Sequence, residues 1–248
     1  MRYFIEFAYN GKNYHGWQSQ PNASSVQETL AKALSVILRR EIELMGAGRT
    51  DTGVHAKQMF AHFDYQEIIE NDFLVNKLNA YLPKDIVVYK IILVSEEAHA
   101  RFDATKRTYE YHIHTFKNAF ESESSWYHHQ HLDLEKMNEA CKFLFEHEDF
   151  QCFSKSNTDV KTYNCKIAEA HWERNNEKII FTIAADRFLR NMVRAIVGTM
   201  VEIGSGKKSL ADFKEILKSK DRNQAGPSAP AHGLYLTQVK YPYLCNNE

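Results

Sequence analysis

The sequence predicts an α+β protein: two ferredoxin-like (split βαβ) halves side by side, forming a continuous, mainly antiparallel sheet with helices on one face. Three observations carry this. Residues 1–98 run strand, helix, strand, strand, helix, strand, the order of a split βαβ unit. From His99 the same order runs again, with additions. No low-complexity linker separates the passes, so one rigid body of two domains, 1–98 and 99–248, is expected. The halves share no visible sequence identity, so any duplication is architectural. Two such sheets side by side leave a cleft.

In the first half, Met1 to Tyr9 reads as a strand and Asn10-Gly11-Lys12-Asn13 as a turn. Tyr14-His15-Gly16-Trp17-Gln18 mixes aromatic, imidazole and amide groups, which suits either a loop meeting a planar polar ligand or one tacked down by its tryptophan. Ser25-Val26-Gln27-Glu28 has capping-box form. It opens a helix whose core face is Val26, Leu30, Ala33, Leu34, Ile37 and Leu38, closed at Arg39-Arg40. Glu41 to Met45 alternates as a strand, and so, weakly, does Gln58 to Phe63. Phe73 to Tyr81 predicts a helix ended by Pro83, and Ile86 to Val94 a buried, branched strand.

In the second half, Lys106 to Thr115 predicts a strand with Tyr109, Tyr111 and Ile113 on one face. Residues 116–131 read as an insertion ending in His128-His129-Gln130-His131, and a solvated loop outweighs a metal site there. Leu134 to Phe145 is a helix, His147 through Ser156 a loop, and Lys166–Arg174 with Lys178–Ala184 a hairpin. Phe188 to Ile203 is the strongest helix; a short one follows near Leu210–Lys218, then a strand Leu234–Tyr241.

A chain of 248 residues with 44% hydrophobic and 25% charged residues is ordinary globular material. The formal net charge of −1 means any basic surface is a local patch. Cys141, Cys152, Cys165 and Cys245 have neither zinc-knuckle spacing nor a disulfide pattern. The N-terminus reads as strand rather than signal peptide, and no run approaches the roughly 20 apolar residues of a membrane span. A reduced cytoplasmic setting, with no membrane and no metal, is expected.

Gly48-Arg49-Thr50-Asp51-Thr52-Gly53-Val54-His55-Ala56 concentrates the chemistry. Its glycines permit unusual backbone angles, and Arg49 and Asp51 project to one side if the segment is extended. A neighbouring arginine favours an ionised carboxylate, which can act as nucleophile, base or ligand; an Asx-turn between strands is the alternative. The stretch closely resembles the signature of the tRNA pseudouridine synthase A family. Four more stretches resemble that family in the same order: Tyr14 to Gln18; His99-Ala100-Arg101-Phe102 with Lys106 to Tyr111; Phe188 to Arg194; and Ala225-Gly226-Pro227 through Ala231 to Leu236. Together they span nearly the whole chain.

The resemblance implies the pseudouridine synthase fold with a central RNA-binding cleft, and an isomerase converting uridine to pseudouridine at positions 38, 39 and 40 of the tRNA anticodon stem-loop. It implies Asp51 as nucleophile, Arg194 as its ion-pair partner, and Tyr109 facing the extruded base. Arg49, His55 and Arg101 join Tyr109 as substrate contacts. It also implies a homodimer and no cofactor. The reaction breaks the N1–sugar bond, turns the base and joins C5 to the sugar, so no redox group, metal or triphosphate is needed. Attack at the sugar carbon or at the pyrimidine ring would each serve. A stacked uridine must first be flipped out, at a cost of a few kcal/mol.

Arg187, Arg190 and Arg194 are spaced to share a helix face, although the family often has small or histidine residues at the first two. Arg39, Arg40, Arg101, Lys106, Arg107, Lys207 and Lys208 are candidate phosphate contacts. Two other classes remain. A catalytically dead RNA-binding module would not need the set Arg49, Asp51, Tyr109 and Arg194. A glycoside hydrolase needs a second acid, for which Glu28, Glu110 and Asp186 have weak claims.

Overall fold

The structure, a computed structural model, describes residues 1–155 and 160–244, so Ser156 and Cys245 lie outside it. The architecture is mixed α+β, with five α-helices and nine strands among the described residues. Packing divides the chain into two units, Met1–Thr105 with Leu236–Glu248, and Lys106–Tyr235.

In the first unit, β1 (Arg2–Tyr9) buries Tyr3, Phe4, Ile5 and Phe7. A single helical turn, Gly11–Asn13, follows, with Asn10 Oδ1 accepting the Lys12 N–H at 3.1 Å. Helix α1 (Val26–Leu38) starts where Ser25 Oγ accepts the Glu28 N–H at 3.2 Å, a cap typically worth ~1 kcal/mol. It stops where Arg39 turns left-handed, φ 54°. The core face is Val26, Leu30, Ala33 and Leu34.

The strand expected over Glu41–Met45 shrinks to β2 (Met45–Gly46). The burial alternation is present, since Ile42 and Leu44 are buried between exposed neighbours. The backbone, however, is bound by side chains. Ile42 N–H donates to Ser35 Oγ at 2.9 Å, and Gln27 Nε2 donates to Leu44 O at 2.8 Å. With those groups satisfied, no ladder forms.

β3 (His55–Asp64) runs antiparallel to β1, pairing Phe4 with His62. Helix α2 (Asn71–Tyr81) ends at Leu82, ahead of Pro83, and packs on α1 and on β4 (Ile86–Val94), which is antiparallel to β1. The last strand, β9 (Leu234–Lys240), belongs to this unit from Leu236 onward and completes the order β4-β1-β3-β9. Val239 N–H donates to Gln58 Oε1 at 3.0 Å, and Thr105 N–H to Lys240 O at 2.8 Å.

In the second unit, β5 (Lys106–His114) carries Tyr111 and Ile113 in the core. The expected insertion contains β6 (Trp126–Tyr127), parallel to the end of β5, with Tyr127 stacked on His114 at 5.4 Å and Trp126 5.1 Å from the His128 ring. Helix α3 (Leu134–Leu144) buries Met137, Cys141 and Leu144 against β7 (Ile167–Asn175) and the later helices. β7 and β8 (Lys178–Ala185) form the expected hairpin, turned with Asn176 at φ 54°. The order is β5-β8-β7. Helices α4 (Met192–Gly204) and α5 (Leu210–Ser219) complete the unit.

Helix α4 begins four residues later than the pattern from Phe188 suggested. Asn191 is left-handed, φ 66°, which breaks the helical path before Met192. Arg187 and Arg190 therefore precede the helix, and only Arg194 of that triplet lies on it. None of the described helices is long and apolar enough to cross a membrane.

Candidate functional site

In the first unit, Asp51 sits half-buried on the loop between β2 and β3, beside exposed Arg49. The loop is held by the end of β1 and the chain that follows it. Tyr9 Oη and Thr50 Oγ1 share a 2.8 Å hydrogen bond. Trp17 N–H donates to Thr50 O at 3.3 Å, and Gly53 N–H to Tyr14 O at 3.3 Å. Val54 N–H returns to Asp51 O at 3.1 Å and closes the turn, with Gly53 at φ 77°. A side chain on Gly16 (φ 87°) would run into the Thr50 carbonyl, so only glycine lets the two backbones approach this closely.

The Tyr14–Gln18 stretch is thus a support as well as a surface. Trp17 is 3% exposed, stacks on Phe7 at 5.4 Å, and packs against Gly46, where an added Cβ would lie 2.5 Å from the indole. Tyr14 Oη donates to Asp85 Oδ1 at 2.7 Å; burial first, then Asp85, raises the phenol's pKa and keeps it a donor. His15 stays exposed. His55 is 3% exposed, and its Nδ1 accepts the Gly11 N–H at 3.1 Å, so that face of the ring points into the support. Arg101 is exposed on the turn after β4.

In the second unit, Tyr109 lies on the same face of β5 as buried Tyr111 and Ile113, but at the strand's half-buried end. Its ring meets Phe188 edge-on at 5.2 Å and 90°. Arg194, half-buried in the first turn of α4, donates Nε–H to Ala229 O at 2.7 Å and accepts the Ala229 N–H on its own carbonyl at 2.9 Å.

Residues 225–230 are themselves docked on α4. A Cβ on Gly198 would collide with the Pro227 carbonyl, and Gly226 N–H donates to buried Thr199 Oγ1 at 2.9 Å. Ser228 Oγ takes Asn191 Nδ2 at 2.6 Å and Arg222 Nη2 at 2.9 Å, while Tyr111 Oη donates to Pro230 O at 2.8 Å. Most of these supports act through backbone atoms and leave little trace in residue type; Trp17 and the Gly226-Pro227 and Asn10-Gly11 pairs are the signals that the sequence carries.

Several other candidates have structural partners. Arg107 Nη1 donates to Asp186 O at 2.7 Å, and Asp186 Oδ1 accepts from Lys166 N–H at 2.8 Å and Arg187 N–H at 2.7 Å. Glu110 meets His112 at 2.9 Å, Lys106 meets Glu169 at 3.5 Å, and Arg40 Nη1 donates to Gln66 at 2.8 Å. Among the described residues no group of three His, Cys, Asp or Glu could hold a metal ion. Burial pushes the thiols of Cys141, Cys152 and Cys165 up to about 12, leaving them inert.

One unit carries the pinned Asp51 loop, and the other carries Tyr109 on β5 and Arg194 on α4. A family model for tRNA pseudouridine synthase matches residues 6–103 and 140–242. The chain belongs to the tRNA pseudouridine synthase family. It is 54% identical over 242 residues to tRNA pseudouridine synthase A of Parabacteroides distasonis, covering 97% of this chain and 96% of that one. It is 55% identical over 244 residues to the protein of the same name from Bacteroides fragilis, covering 98% and 97%. Against tRNA pseudouridine synthase A 2 of Clostridium perfringens it is 39% identical over 239 residues, covering 96% and 98%. Family membership carries isomerase chemistry, uridine to pseudouridine.

Proposed function

We propose that the chain acts in the cytoplasm on uridines at positions 38, 39 and 40 of the tRNA anticodon stem-loop, as a homodimer, through two ferredoxin-like halves that flank an RNA-binding cleft. Asp51 is the nucleophile. The observation that carries this is the loop around it: Thr50, Gly53 and Asp51 each have backbone atoms in hydrogen bonds that hold the carboxylate's anchor still. A fixed attacking group needs little reorganisation to reach its near-attack geometry.

The uridine is flipped from its stack, and Arg49 occupies or steadies the space it leaves. Tyr109 faces the flipped ring. Arg194 pairs with the Asp51 carboxylate and fixes its charge. Asp51 holds one half of the substrate covalently while the base turns. The N1–C1′ bond breaks, the C5–C1′ bond forms, the C5 proton leaves and N1 gains one, so the reaction balances without a co-reactant. Arg101 meets RNA backbone, and His55 serves the substrate through the loop that it braces.

The test is single-turnover pseudouridine formation on an unmodified tRNA transcript, mapped with carbodiimide, with affinity measured in parallel. Asp51→Asn preserves size and turn-forming ability, so a turn residue would tolerate it. Loss of a nucleophile costs at least ~10³-fold in rate, about 4 kcal/mol of barrier. tRNA affinity should hold, because phosphate contacts lie elsewhere. Parental turnover in Asp51→Asn sinks the mechanism.

A further inference from the structure

Residues 99–103 form a turn in which all five backbone N–H groups have partners. His99 N–H donates to Asp103 Oδ2 at 2.7 Å, and Ala100 N–H to His62 Nδ1 at 3.1 Å. Arg101 and Phe102 N–H both donate to His99 Nδ1, at 3.1 and 3.3 Å, and Asp103 N–H donates to His99 O at 3.1 Å. The other side is also tied down. Tyr243 Oη donates to Asp103 Oδ2 at 2.7 Å, and Tyr241 Oη donates to Ala100 O. Four of the five N–H groups are thus held by side-chain acceptors.

What this scaffold displays is an aromatic ring in water. Phe102 is 74% exposed, its ring centroid is 4.3 Å from that of His99, and the Arg101 guanidinium lies 5.6 Å away. Single exposed apolar residues are common and need no explanation. A turn with every backbone N–H bonded that leaves a large ring mostly in water beside a cation is a different case, because folding gains little from that ring's burial. An aromatic face with an adjacent guanidinium complements a nucleotide, base on ring and phosphate on cation. In a chain of net charge −1, such a local cation is also what an RNA surface requires.

We propose that Phe102 is a stacking platform for an unpaired nucleobase of the RNA substrate, with Arg101 on the neighbouring phosphate. The inference rests on the tRNA reading above. It makes Phe102 a binding residue, distinct from the groups that perform the isomerisation.

The experiment compares the parent with Phe102→Ala and Phe102→Trp on a tRNA transcript. It reads equilibrium affinity, single-turnover rate at saturating tRNA, and melting temperature. Phe102→Ala is expected to weaken affinity roughly 5- to 100-fold, the range of one base–ring stack. Its rate at saturation should stay within about twofold and its melting temperature unchanged, as for an interaction made equally in ground and transition states. Phe102→Trp should bind like the parent. Parental affinity in Phe102→Ala overturns the proposal. So does a lowered melting temperature that accounts for the loss, or an affinity that Trp fails to restore. A parent that binds tRNA yet forms no pseudouridine overturns the function and leaves the stacking judged by affinity alone; a parent that does not bind tRNA overturns both.

Discussion

Arg194 is held to Ala229 by both its side chain and its backbone, which leaves the far end of the guanidinium aimed by a carbonyl. A lysine there keeps the charge and loses the Nε–H donor. Arg194→Lys should therefore slow turnover by roughly 10- to 100-fold, the value of a charge-assisted hydrogen bond, with tRNA affinity retained. A parental single-turnover rate would mean that charge alone matters at this position. Tyr109 separates ring from hydroxyl in a similar way. Tyr109→Phe keeps the edge contact with Phe188 and should slow turnover moderately, while Tyr109→Ala should also lose the proposed base stacking, typically ~1–3 kcal/mol. If both variants turn over like the parent, Tyr109 is only a strand residue.

Helix α4 and the segment 225–230 work as one element, because Gly198 lets the Pro227 carbonyl reach the helix backbone. Gly198→Ala places a methyl group against that carbonyl. We expect a stability loss of ~1–3 kcal/mol, read as a lower melting temperature, together with slower turnover, since Ala229 moves with the segment. Unchanged melting and rate would show that the segment shifts freely. Strands β1, β4 and β5 and the β7–β8 hairpin were legible through branched residues, alternation and an Asn-Asn turn. Helix α1 was legible through Ser25 and Glu28. The loop at Ile42–Leu44 carried a strand's alternation, but Ser35 and Gln27 took its backbone bonds. The start of α4 was hidden because an asparagine in the left-handed region interrupts an otherwise helical apolar pattern. Two-residue β6 was hidden inside a polar insertion. Asp51, Tyr109 and Arg194 stood out as residue types in recognisable motifs; the Ala229 carbonyl that aims Arg194 has no residue-type signature.

At the scale of the whole molecule, the described histidines His62, His99, His114, His128 and His232 are held below their ordinary pKa of 6.5, with burial the first cause in each. His62 is pushed down to about 4, with Arg2 and His99 adding to burial against Asp64 and Asp103. A histidine depressed in the fold binds fewer protons than in the unfolded chain between those two values. Its contribution is therefore present above about pH 6.5 and is lost as pH falls toward 4. The melting temperature should fall over that window, before the carboxylates protonate, and His62→Gln should flatten part of the slope. A melting temperature constant from pH 7 to about 4.5 would contradict this. A last consequence follows from the path of the chain, which leaves the first unit at Thr105 and re-enters it at Leu236. Gln58 meets its partner Val239 only across 181 residues of sequence. Made from the N-terminus on a ribosome, the half bearing Asp51 must wait with an unfinished sheet edge until nearly all of the other half has emerged. Its maturation is tied to completed synthesis, and a ribosome stalled before Leu236 would release the Asp51 loop on an unfinished scaffold.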